Sequence, residues 1–403
     1  NATINSKKWM NDYDEFRALS TYPDGHIYAL PAIDENQNIR VDKILYINQS
    51  YLDKLGMDMP ATLDEFGEYL RQATSRDLNG DGKNEYGLSF EALQNAPSIY
   101  TYLFGLCGVS WDTRSYMHSE EGTTQLQFAP AMEETRKALE YFHEWYEEGL
   151  LDPENFTQSS TQLKAKAKTE GVAASVVFWY LDLNDGDESM NEYRVMNLPE
   201  GPDGNQVWRR NGLIPGYVGN QFFITSANEH PAETLAFIDW WMDNSENALT
   251  NRFGPKGYSW DYLENGKWTE LANIPSGEPR TMENSTLYAT WGYGIPYWCF
   301  GDFWAEKEIT AETALERQGA LNESYMKVAA PGLPELVYEE YENREALNIK
   351  TDLFKYVDSQ LAQFITNGVT DESWDAYIKK MKDLQADRWA ELYQKYYNIM
   401  MES

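Results

Sequence analysis

The sequence predicts an α/β fold, in which strands and helices alternate in packed layers. Three stretches carry this prediction. Val172–Tyr180 is a continuous apolar run of the length of a buried strand. Phe222–Thr225 is a short aromatic strand that leads through a polar turn into a helix beginning at Pro231. Ala131–Glu148 carries apolar residues at helical spacing and is followed by a glycine.

The first half of the chain alternates between short strands and helices. Its clearest boundary is the capping box Thr62–Glu65, which begins a helix with apolar residues on one face. The other elements predicted here are helices at Ser6–Leu19, Gln49–Leu55 and Ser98–Leu106 and strands at His26–Leu30, Val41–Ile47 and Tyr86–Phe90.

The second half continues the alternation and ends in helices. We expect a helix at Thr161–Thr169, a strand at Tyr193–Leu198 and an irregular segment, rich in Gly, Trp and Tyr, at Arg252–Asp302. The helix from Pro231 is expected to bury one stripe, made of Leu235, Ile238, Trp241 and Met242. Helical spacing also predicts a core position for Trp145, Trp240, Trp241, Trp374 and Trp389.

Composition limits the class of protein. The 403 residues carry a net charge of −32, and 42% of them are apolar, which is enough for folded cores. Like charge repels phosphate, so nucleic acid and anionic membranes are excluded as expected partners. No run of about 18 apolar residues would span a bilayer, and no apolar signal segment follows Asn1. Cys107 and Cys299 are too few for a disulfide scaffold, and Cys107 is expected as a small buried residue.

An acidic loop is the candidate metal site. Asp77, Asn79 and Asp81 place oxygen side chains at alternate positions, with a glycine at the sixth position and the Lys83 carbonyl at the seventh. This spacing wraps a loop around Ca²⁺. The twelfth position, which holds a bidentate Glu in an EF-hand, is a leucine here, and Glu85 is the candidate substitute. A structural calcium site and a plain Asx-turn loop both stay open.

Aromatic residues make up 14% of the chain, with 14 Trp and 28 Tyr. Such side chains fill cores, but in loops and at strand ends they also provide flat platforms for ligands. Arg210 is the expected hydrogen-bond donor beside these platforms and Asp302 the expected acceptor, a combination that suits a neutral sugar. Core packing stays the alternative for each aromatic residue alone. The candidate ligand-binding residues are Trp179, Tyr180, Arg210, Tyr217, Trp291, Tyr293, Tyr297, Trp298 and Asp302.

No motif predicts catalysis. Sugar hydrolysis needs two carboxylates about 5–10 Å apart, and the 65 acidic residues single out no such pair. The four histidines show no metal-binding spacing, and no nucleophile elbow, Walker A loop or dinucleotide-binding glycine pattern occurs. We therefore expect no catalytic residues and no cofactor for chemistry.

Several stretches, in one order, resemble a single family. They are PDGHIYALP (Pro23–Pro31), LYINQSYLDKLGMDMPATLDEF (Leu45–Phe66), DLNGDGKNEYGL (Asp77–Leu88), NQFFITSANEHPAETLAFIDWWMDN (Asn220–Asn244), FGPKGYSWDYLENGKW (Phe253–Trp268) and FITNGVTDESWDAYIKKMKDL (Phe364–Leu384). Together they resemble the lipoprotein-type extracellular solute-binding proteins, family 1, of ABC importers. The resemblance implies a type II periplasmic-binding-protein-like fold, with two discontinuous α/β lobes joined by hinge strands, and no catalysis.

The resemblance also gives boundaries. We expect residues 1–88 and 221–298 to form the first lobe and residues 89–220 and 299–403 to form the second. Family members begin with a lipobox cysteine and an opening strand–helix–strand portion, whereas Asn1 resembles the segment just before PDGHIYALP. The expectation is therefore a first lobe that lacks its opening portion and a chain that lacks its lipid anchor.

The function implied by the resemblance is delivery of a ligand to ABC permease subunits from outside the cell, or from the periplasm of a two-membrane bacterium. The aromatic content favours an oligosaccharide, bound by a monomer. A carbohydrate-active enzyme of the glycoside hydrolase kind would instead need a convergent carboxylate pair. A peptide-binding member of the same family would need charged groups placed for the two termini.

Overall fold

The computed structural model describes residues 14–22, 24–36, 41, 43–92, 99–119, 123–177, 183, 192–210, 217–241, 245–271, 277, 298–299, 301–309, 312–330, 332–334 and 336–402. The chain folds into two compact units. The first unit consists of Asn1–Arg40, Asn211–Leu315 and Tyr397–Ser403, and the second of Val41–Arg210 and Glu316–Tyr396. Each unit is therefore assembled from segments that are distant in sequence.

Strands and helices alternate along the described residues, which confirms the predicted α/β class. The strands are β1 (Ala29–Asp34), β2 (Ile44–Asn48), β3 (Tyr86–Leu88), β4 (Met117–Ser119), β5 (Leu126–Phe128), β6 (Val172–Val177), β7 (Tyr193–Val195), β8 (Trp208–Arg209), β9 (Tyr217–Phe223), β10 (Trp260–Tyr262), β11 (Trp268–Glu270), β12 (Trp298–Cys299) and β13 (Ala329–Ala330). The helices are α1 (Asp14–Ser20), α2 (Gln49–Leu55), α3 (Leu63–Thr74), α4 (Tyr100–Leu103), α5 (Glu133–Glu147), α6 (Ser160–Thr169), α7 (Pro231–Trp241), α8 (Ser245–Phe253), α9 (Gly301–Ala305), α10 (Glu312–Glu323), α11 (Glu340–Asn367), α12 (Asp371–Asp383) and α13 (Ala386–Glu402).

The first unit contains a three-stranded sheet of order β12-β1-β9. Strand β1 runs parallel to β12 and antiparallel to β9. Residues from β1, α1, α8, α9, β12 and the β10–β11 hairpin form one apolar core, which is dense in aromatic rings. Its members are Phe16, Ala32, Ile33, Ala248, Leu249, Phe253, Trp260, Trp268, Cys299 and Phe303.

The second unit contains a four-stranded sheet of order β3-β6-β2-β7. Strand β6 runs parallel to β3 and antiparallel to β2, which is antiparallel to β7. Every residue of β2 and β6 is buried, as expected for central strands covered on both faces. Helix α3 packs on β3 and β6, where the Tyr69 hydroxyl donates a hydrogen bond to the Ala173 carbonyl at 3.0 Å.

Local sequence signals fix the ends of two helices in this unit. The predicted capping box is present at α3: the Thr62 hydroxyl accepts from the Glu65 N–H, and the Glu65 carboxylate accepts from the Thr62 N–H. Helix α2 ends at Gly56, whose φ of +66° lies in the left-handed region that favours glycine. Both predicted boundaries are confirmed because each depends only on residues within one turn.

The units differ from the predicted lobes in four segments, residues 41–88, 211–220, 299–315 and 397–403, and strand pairing accounts for two of them. Residues 41–88, expected with the first forty residues, belong to the second unit because β2 pairs with β6 and β7. Residues 299–315, expected in the second lobe, belong to the first unit because Cys299 pairs with Asp34 of β1. Pairing between strands that are distant in sequence places residues 41–88 and 299–315 in these units. The apolar pattern of a strand does not predict which strand it pairs with.

One prediction about side-chain burial is wrong. Trp240 was expected in the core, but it is 55% exposed, as is Phe237 beside it. Of the predicted stripe on α7, Ile238 is buried, Leu235 is half-buried and Trp241 packs partly against the core, while Met242 lies outside the described residues. Helix α7 is apolar around most of its surface, so periodicity could not identify its inner face. The predicted core positions of Trp145, Trp374 and Trp389 are confirmed.

The segment at Arg252–Asp302 is expected to be irregular, but its described part also contains regular elements. It includes the end of α8 and the β10–β11 hairpin, in which Trp260 pairs with Glu270. Trp260 and Trp268 are fully buried in the first unit, and the Trp268 indole N–H donates to the Phe303 carbonyl at 3.1 Å. These aromatic residues in a Gly-rich segment thus build core.

Candidate functional site

The ends of several strands lie at the same edge of the sheet in the second unit. Strands β3, β6 and β7 end there, and β2 begins there, since its first residue, Ile44, pairs with Val177, the last residue of β6. In open α/β sheets, ligands bind outside the carboxyl ends of the strands. This edge is therefore the candidate ligand-binding edge of the second unit.

An ion pair lies at this edge. Lys43 directly precedes β2 and Glu91 follows β3 by three residues, and the Lys43 Nζ is 3.1 Å from Glu91 Oε1. The two side chains are 13% and 23% exposed, whereas neighbouring Ile44 and Phe90 are buried. The Trp208 indole N–H donates to the Lys43 carbonyl at 2.7 Å, which ties the start of β2 to β8.

A second basic group lies close by in β8. The Arg209 guanidinium lies 4.1 Å from the centroid of the Tyr102 ring and also donates a hydrogen bond to the Tyr102 hydroxyl. It further donates to the Trp111 carbonyl at 2.9 Å. Burial raises the pKa of the adjacent Asp112 carboxyl, but Arg114 and Arg209 outweigh that effect, so its pKa lies below the ordinary value. Arg209 is thus held in place by aromatic, carbonyl and carboxylate groups.

Arg210, the predicted donor, follows β8 in the same unit. Its backbone N–H donates to the Ala330 carbonyl at 3.0 Å, which continues the parallel pairing of β8 with β13. The residue is half-buried. Its backbone position is therefore fixed by the small β8–β13 sheet.

Two of the predicted aromatic residues come together in the first unit. Tyr217 begins β9 and Trp298 begins β12, and both pair with Ile33 of β1, one from each side. Two positions that are 81 residues apart in the sequence thus flank the same residue, Ile33, on the two outer strands of the three-stranded sheet.

The remaining predicted ligand-binding residues are less fully described. Asp302 lies in α9 of the first unit, and for Tyr217, Trp298 and Asp302 only the backbone position is described. Trp179, Tyr180, Trp291, Tyr293 and Tyr297 lie outside the described residues. The ligand-binding role of all of these residues stays a prediction.

The candidate metal loop is a set of tight turns closed by its own side chains. The Asp77 carboxylate accepts from the N–H groups of Gly80 and Gly82, at 2.6 and 2.9 Å. Asn79 and Asp81 each accept from the N–H two residues further on. Gly80 and Gly82 have φ of +85° and +90°, as the sharp turn of the loop requires.

Glu85 closes the loop from inside. Its Oε1 accepts from the N–H groups of Leu78 and Asn79, at 2.6 and 2.7 Å, and its Oε2 accepts from the Tyr51 hydroxyl at 3.2 Å. Burial raises the pKa of the Glu85 carboxyl, and these hydrogen bonds oppose the rise. Among the residues that the structure describes, no three His, Cys, Asp or Glu side chains are grouped as a metal site.

Comparison with known proteins decides the family. The family model for the bacterial extracellular solute-binding protein matches residues 2–248, which is more than half of the chain. The chain is a bacterial extracellular solute-binding protein. None of the described helices of this solute-binding protein is both long and apolar enough to cross a bilayer.

Individual relatives agree with this assignment. The chain is 25% identical, over 410 residues, to the fructooligosaccharide ABC transporter substrate-binding protein FusA of Streptococcus pneumoniae serotype 4; the match covers 98% of this chain and 73% of FusA. It is 26% identical, over 252 residues, to lipoprotein LipO of Bacillus subtilis, covering 56% of this chain and 45% of LipO.

Solved structures show the fold. The FusA EF-hand mutant of S. pneumoniae, in complex with fructo-nystose, superimposes with a TM-score of 0.81 at 21% identity, covering 99% of this chain and 81% of FusA. The HMO-binding solute-binding protein of Bifidobacterium longum infantis gives a TM-score of 0.76 at 19% identity, covering 98% and 81%. The predicted type II periplasmic-binding-protein-like fold is thereby confirmed.

Sequence reasoning missed four polar or aromatic residues at the candidate edge of this solute-binding protein: Lys43, Glu91, Tyr102 and Arg209. Two of them had a usable signal. Glu91 directly follows the predicted strand Tyr86–Phe90, and Lys43 lies near the start of the predicted strand Val41–Ile47; the ends of strands are where α/β proteins present ligand-contacting groups. The pairing of Tyr102 with Arg209 had no comparable signal, since it depends on how β8 packs against α4.

Proposed function

We propose that this solute-binding protein binds a neutral oligosaccharide outside the cell and delivers it to the membrane permease of an ABC importer. The observation that carries the proposal is the family match, which extends over residues 2–248. The ligand class is supported by FusA, whose described ligand is a fructooligosaccharide.

The chemistry of the candidate residues suits such a ligand. Sugar rings have flat C–H faces that stack on aromatic rings, and a rim of hydroxyls that need hydrogen-bonding groups. In our proposal the platforms come from Trp179, Tyr180, Tyr217, Trp291, Tyr293, Tyr297 and Trp298. Arg210 donates and Asp302 accepts at the rim. The shared pairing of Tyr217 and Trp298 with Ile33 supports a joint role for those two positions.

The protein is proposed to bind its sugar without changing it. Its relatives FusA and the B. longum protein are described as binding proteins, which supports transport rather than catalysis. We propose that the two compact units correspond to the two lobes of the fold, that the protein acts as a monomer, and that a lipid anchor attaches it to the cell surface. LipO, a lipoprotein, supports the last point.

The loop that contains Asp77, Asn79 and Asp81 is proposed to hold a structural Ca²⁺, with the Lys83 carbonyl as a further ligand. Each of these side chains uses some of its oxygen lone pairs on loop N–H groups and keeps others for a cation. The positive φ of Gly82 supplies the turn that such loops need. The fit is partial, because Leu88 occupies the position of the bidentate Glu. Glu85 is already bound by three donors and acts to hold the loop.

Thermal-shift screening tests the proposed ligand class. Neutral oligosaccharides, uronic-acid oligosaccharides and peptides are each added to the full chain, and the melting temperature is recorded. A ligand at a hundred times its Kd adds about 2.7 kcal/mol of stability. We expect a neutral oligosaccharide to raise the melting temperature. If peptides raise the melting temperature and oligosaccharides do not, the proposed ligand class is wrong.

A further inference from the structure

We propose that Lys43 and Glu91 together bind the hydroxyl groups of the ligand and make the site selective for uncharged sugars. This inference rests on the proposed function, since it assigns a role within the same ligand-binding edge. Neither residue belongs to the aromatic platforms or to the Arg210 and Asp302 rim. Lys43 precedes the start of β2 and Glu91 follows the end of β3, and both lie at the edge of the sheet where the carboxyl ends of β3 and β6 meet.

The ion pair has hydrogen-bonding capacity left over. An ammonium group carries three N–H donors, and a carboxylate accepts at two oxygens. The contact between Lys43 Nζ and Glu91 Oε1 uses one donor and one acceptor site. Among the described residues, neither side chain has a further polar partner. Within the described part of the chain, two donors and most of the acceptor sites are therefore left for a ligand.

Because the pair is partly buried, its unused N–H donors and carboxylate lone pairs affect the stability of the pair. A charge pair withdrawn from water is stabilised only when its remaining donors and lone pairs are also satisfied. Here the side chains are 13% and 23% exposed, beside the fully buried Ile44 and Trp208. A sugar hydroxyl is both donor and acceptor, so one hydroxyl, or two neighbouring ones, can accept from Lys43 and donate to Glu91.

The pair also discriminates by charge. Its two charges are opposite and adjacent, so a ligand that approaches both groups meets no net charge. A uronate carboxylate is attracted by Lys43 but repelled by Glu91. A protonated amino sugar is attracted by Glu91 but repelled by Lys43. Juxtaposed like charges are strongly unfavourable at a binding site. The neutral polyhydroxyl ligand is the one that both groups accept.

Both residues are held in position by their backbones. The Lys43 carbonyl accepts from the Trp208 indole, and the next residue, Ile44, is paired with Val177 of β6. On the other side, the N–H of Ala92, next to Glu91, donates to the Gln158 carbonyl at 2.8 Å. A pair carried on anchored strand ends is preorganised, which is what selective recognition requires.

Calorimetric titration of the full chain tests the inference with two sugars of equal length. One is a neutral oligosaccharide that binds the parent, and the other carries a single uronic acid. The variants are Glu91→Gln, which keeps the shape of the side chain, Lys43→Gln, and the exchange K43E/E91K, which restores a pair. The control is Glu340→Gln, which breaks the exposed ion pair with Arg344 on α11.

We expect Glu91→Gln and Lys43→Gln each to weaken binding of the neutral sugar about tenfold or more, the effect of losing hydrogen bonds to a charged group. Glu91→Gln should also shift selectivity towards the uronate by about tenfold, because Lys43 is left unpaired. Lys43→Gln should shift selectivity away from it. The exchange variant should return selectivity to that of the parent, and the control should match the parent throughout.

Circular dichroism and melting curves show whether each variant is folded, and the isosteric Glu91→Gln is sufficient by itself for the selectivity test. Neutral-sugar binding within twofold of the parent, with unchanged selectivity in folded Glu91→Gln, would overturn the inference and leave the proposed function standing. A parent chain that binds no oligosaccharide would overturn both.

Discussion

The Tyr116 hydroxyl donates a hydrogen bond to the carboxylate of Asp358, a residue 242 positions further along the chain. Tyr116 is buried, and its φ of +59° is in the left-handed region, which is unusual for a residue with a side chain. Burial raises the pKa of Asp358 to about 6, and the hydrogen bond from Tyr116 acts against this rise. The nearby Tyr377 is buried as well, and its hydroxyl has no hydrogen-bond partner among the described residues.

This contact predicts a pH-dependent stability. The pKa of Asp358 is higher in the folded chain than its ordinary 3.8, so the stability that it contributes is present below about pH 4 and is lost as the pH rises through 6. Asp358→Asn carries a neutral amide at every pH. We expect the variant to be more stable than the parent above pH 6, by up to about 3 kcal/mol at ~1.4 kcal/mol per pKa unit.

Urea unfolding at pH 4 and pH 7 measures this difference. The control is Asp352→Asn, on an exposed position of the same helix, which should shift stability equally at both pH values. A stability difference between Asp358→Asn and the parent that is the same at pH 4 and pH 7 would contradict the prediction.

Gly105 provides a test of the packing that holds β8. Its carbonyl accepts from the Val207 N–H at 3.0 Å, and an added Cβ would lie 1.8 Å from the Val207 carbonyl oxygen. Backbone must therefore move in Gly105→Ala, and we expect a loss of at least about 2 kcal/mol in the free energy of unfolding.

The matched control is Gly319→Ala in α10, where an added Cβ meets no atom within 4 Å. Alanine is the better helix former, so this variant should gain about 0.5–1 kcal/mol. Urea midpoints of the two variants that move in the same direction would show that the contact between Gly105 and Val207 is not restrictive.

Calcium binding by the acidic loop is tested by calorimetry and melting curves. We expect heat on addition of Ca²⁺ and a higher melting temperature, both of which Asp81→Ala should remove because Asp81 supplies an oxygen ligand. Asp375→Ala, at an exposed acidic position of α12, serves as the control and should respond to Ca²⁺ like the parent. Absence of heat in the parent, together with an unchanged melting temperature in Asp81→Ala, would leave the loop as a plain Asx-turn.

The sequence predicted best what depends on neighbours along the chain. The capping box at Thr62 and the left-handed glycine after α2 each involve a few consecutive residues, and both are present. The pairing of β2 with β6 joins residues about 130 positions apart, and the predicted boundaries, which rested on the crossing near Phe222, did not take that pairing into account.

The candidate site shows the same limit. The contact between Lys43 and Glu91 exists because β2 and β3 both flank β6. The order of strands in a sheet cannot be predicted from the apolar pattern of each strand. The exposure of Trp240 had a different cause: α7 is apolar on several faces, so its pattern gave no single inner side. In both cases the missing information was tertiary.

The aromatic platforms are tested by truncation. Trp179→Ala and Trp298→Ala should each cost about 2 kcal/mol of binding free energy, which is roughly thirtyfold in Kd. Trp240→Ala, at an exposed position of α7, is the matched control and should bind like the parent. If both folded site variants bind the preferred sugar within twofold of the parent, the assignment of these two residues to the site is wrong.

We propose that this solute-binding protein takes up an uncharged oligosaccharide. Isothermal titration of the purified full chain with neutral oligosaccharides, and separately with peptides, tests it most directly, with the sugar recovered and analysed afterwards. We expect saturable one-to-one binding of a neutral oligosaccharide that is recovered intact, and no heat with peptides. Binding of peptides without sugars, or recovery of a cleaved sugar, would contradict it.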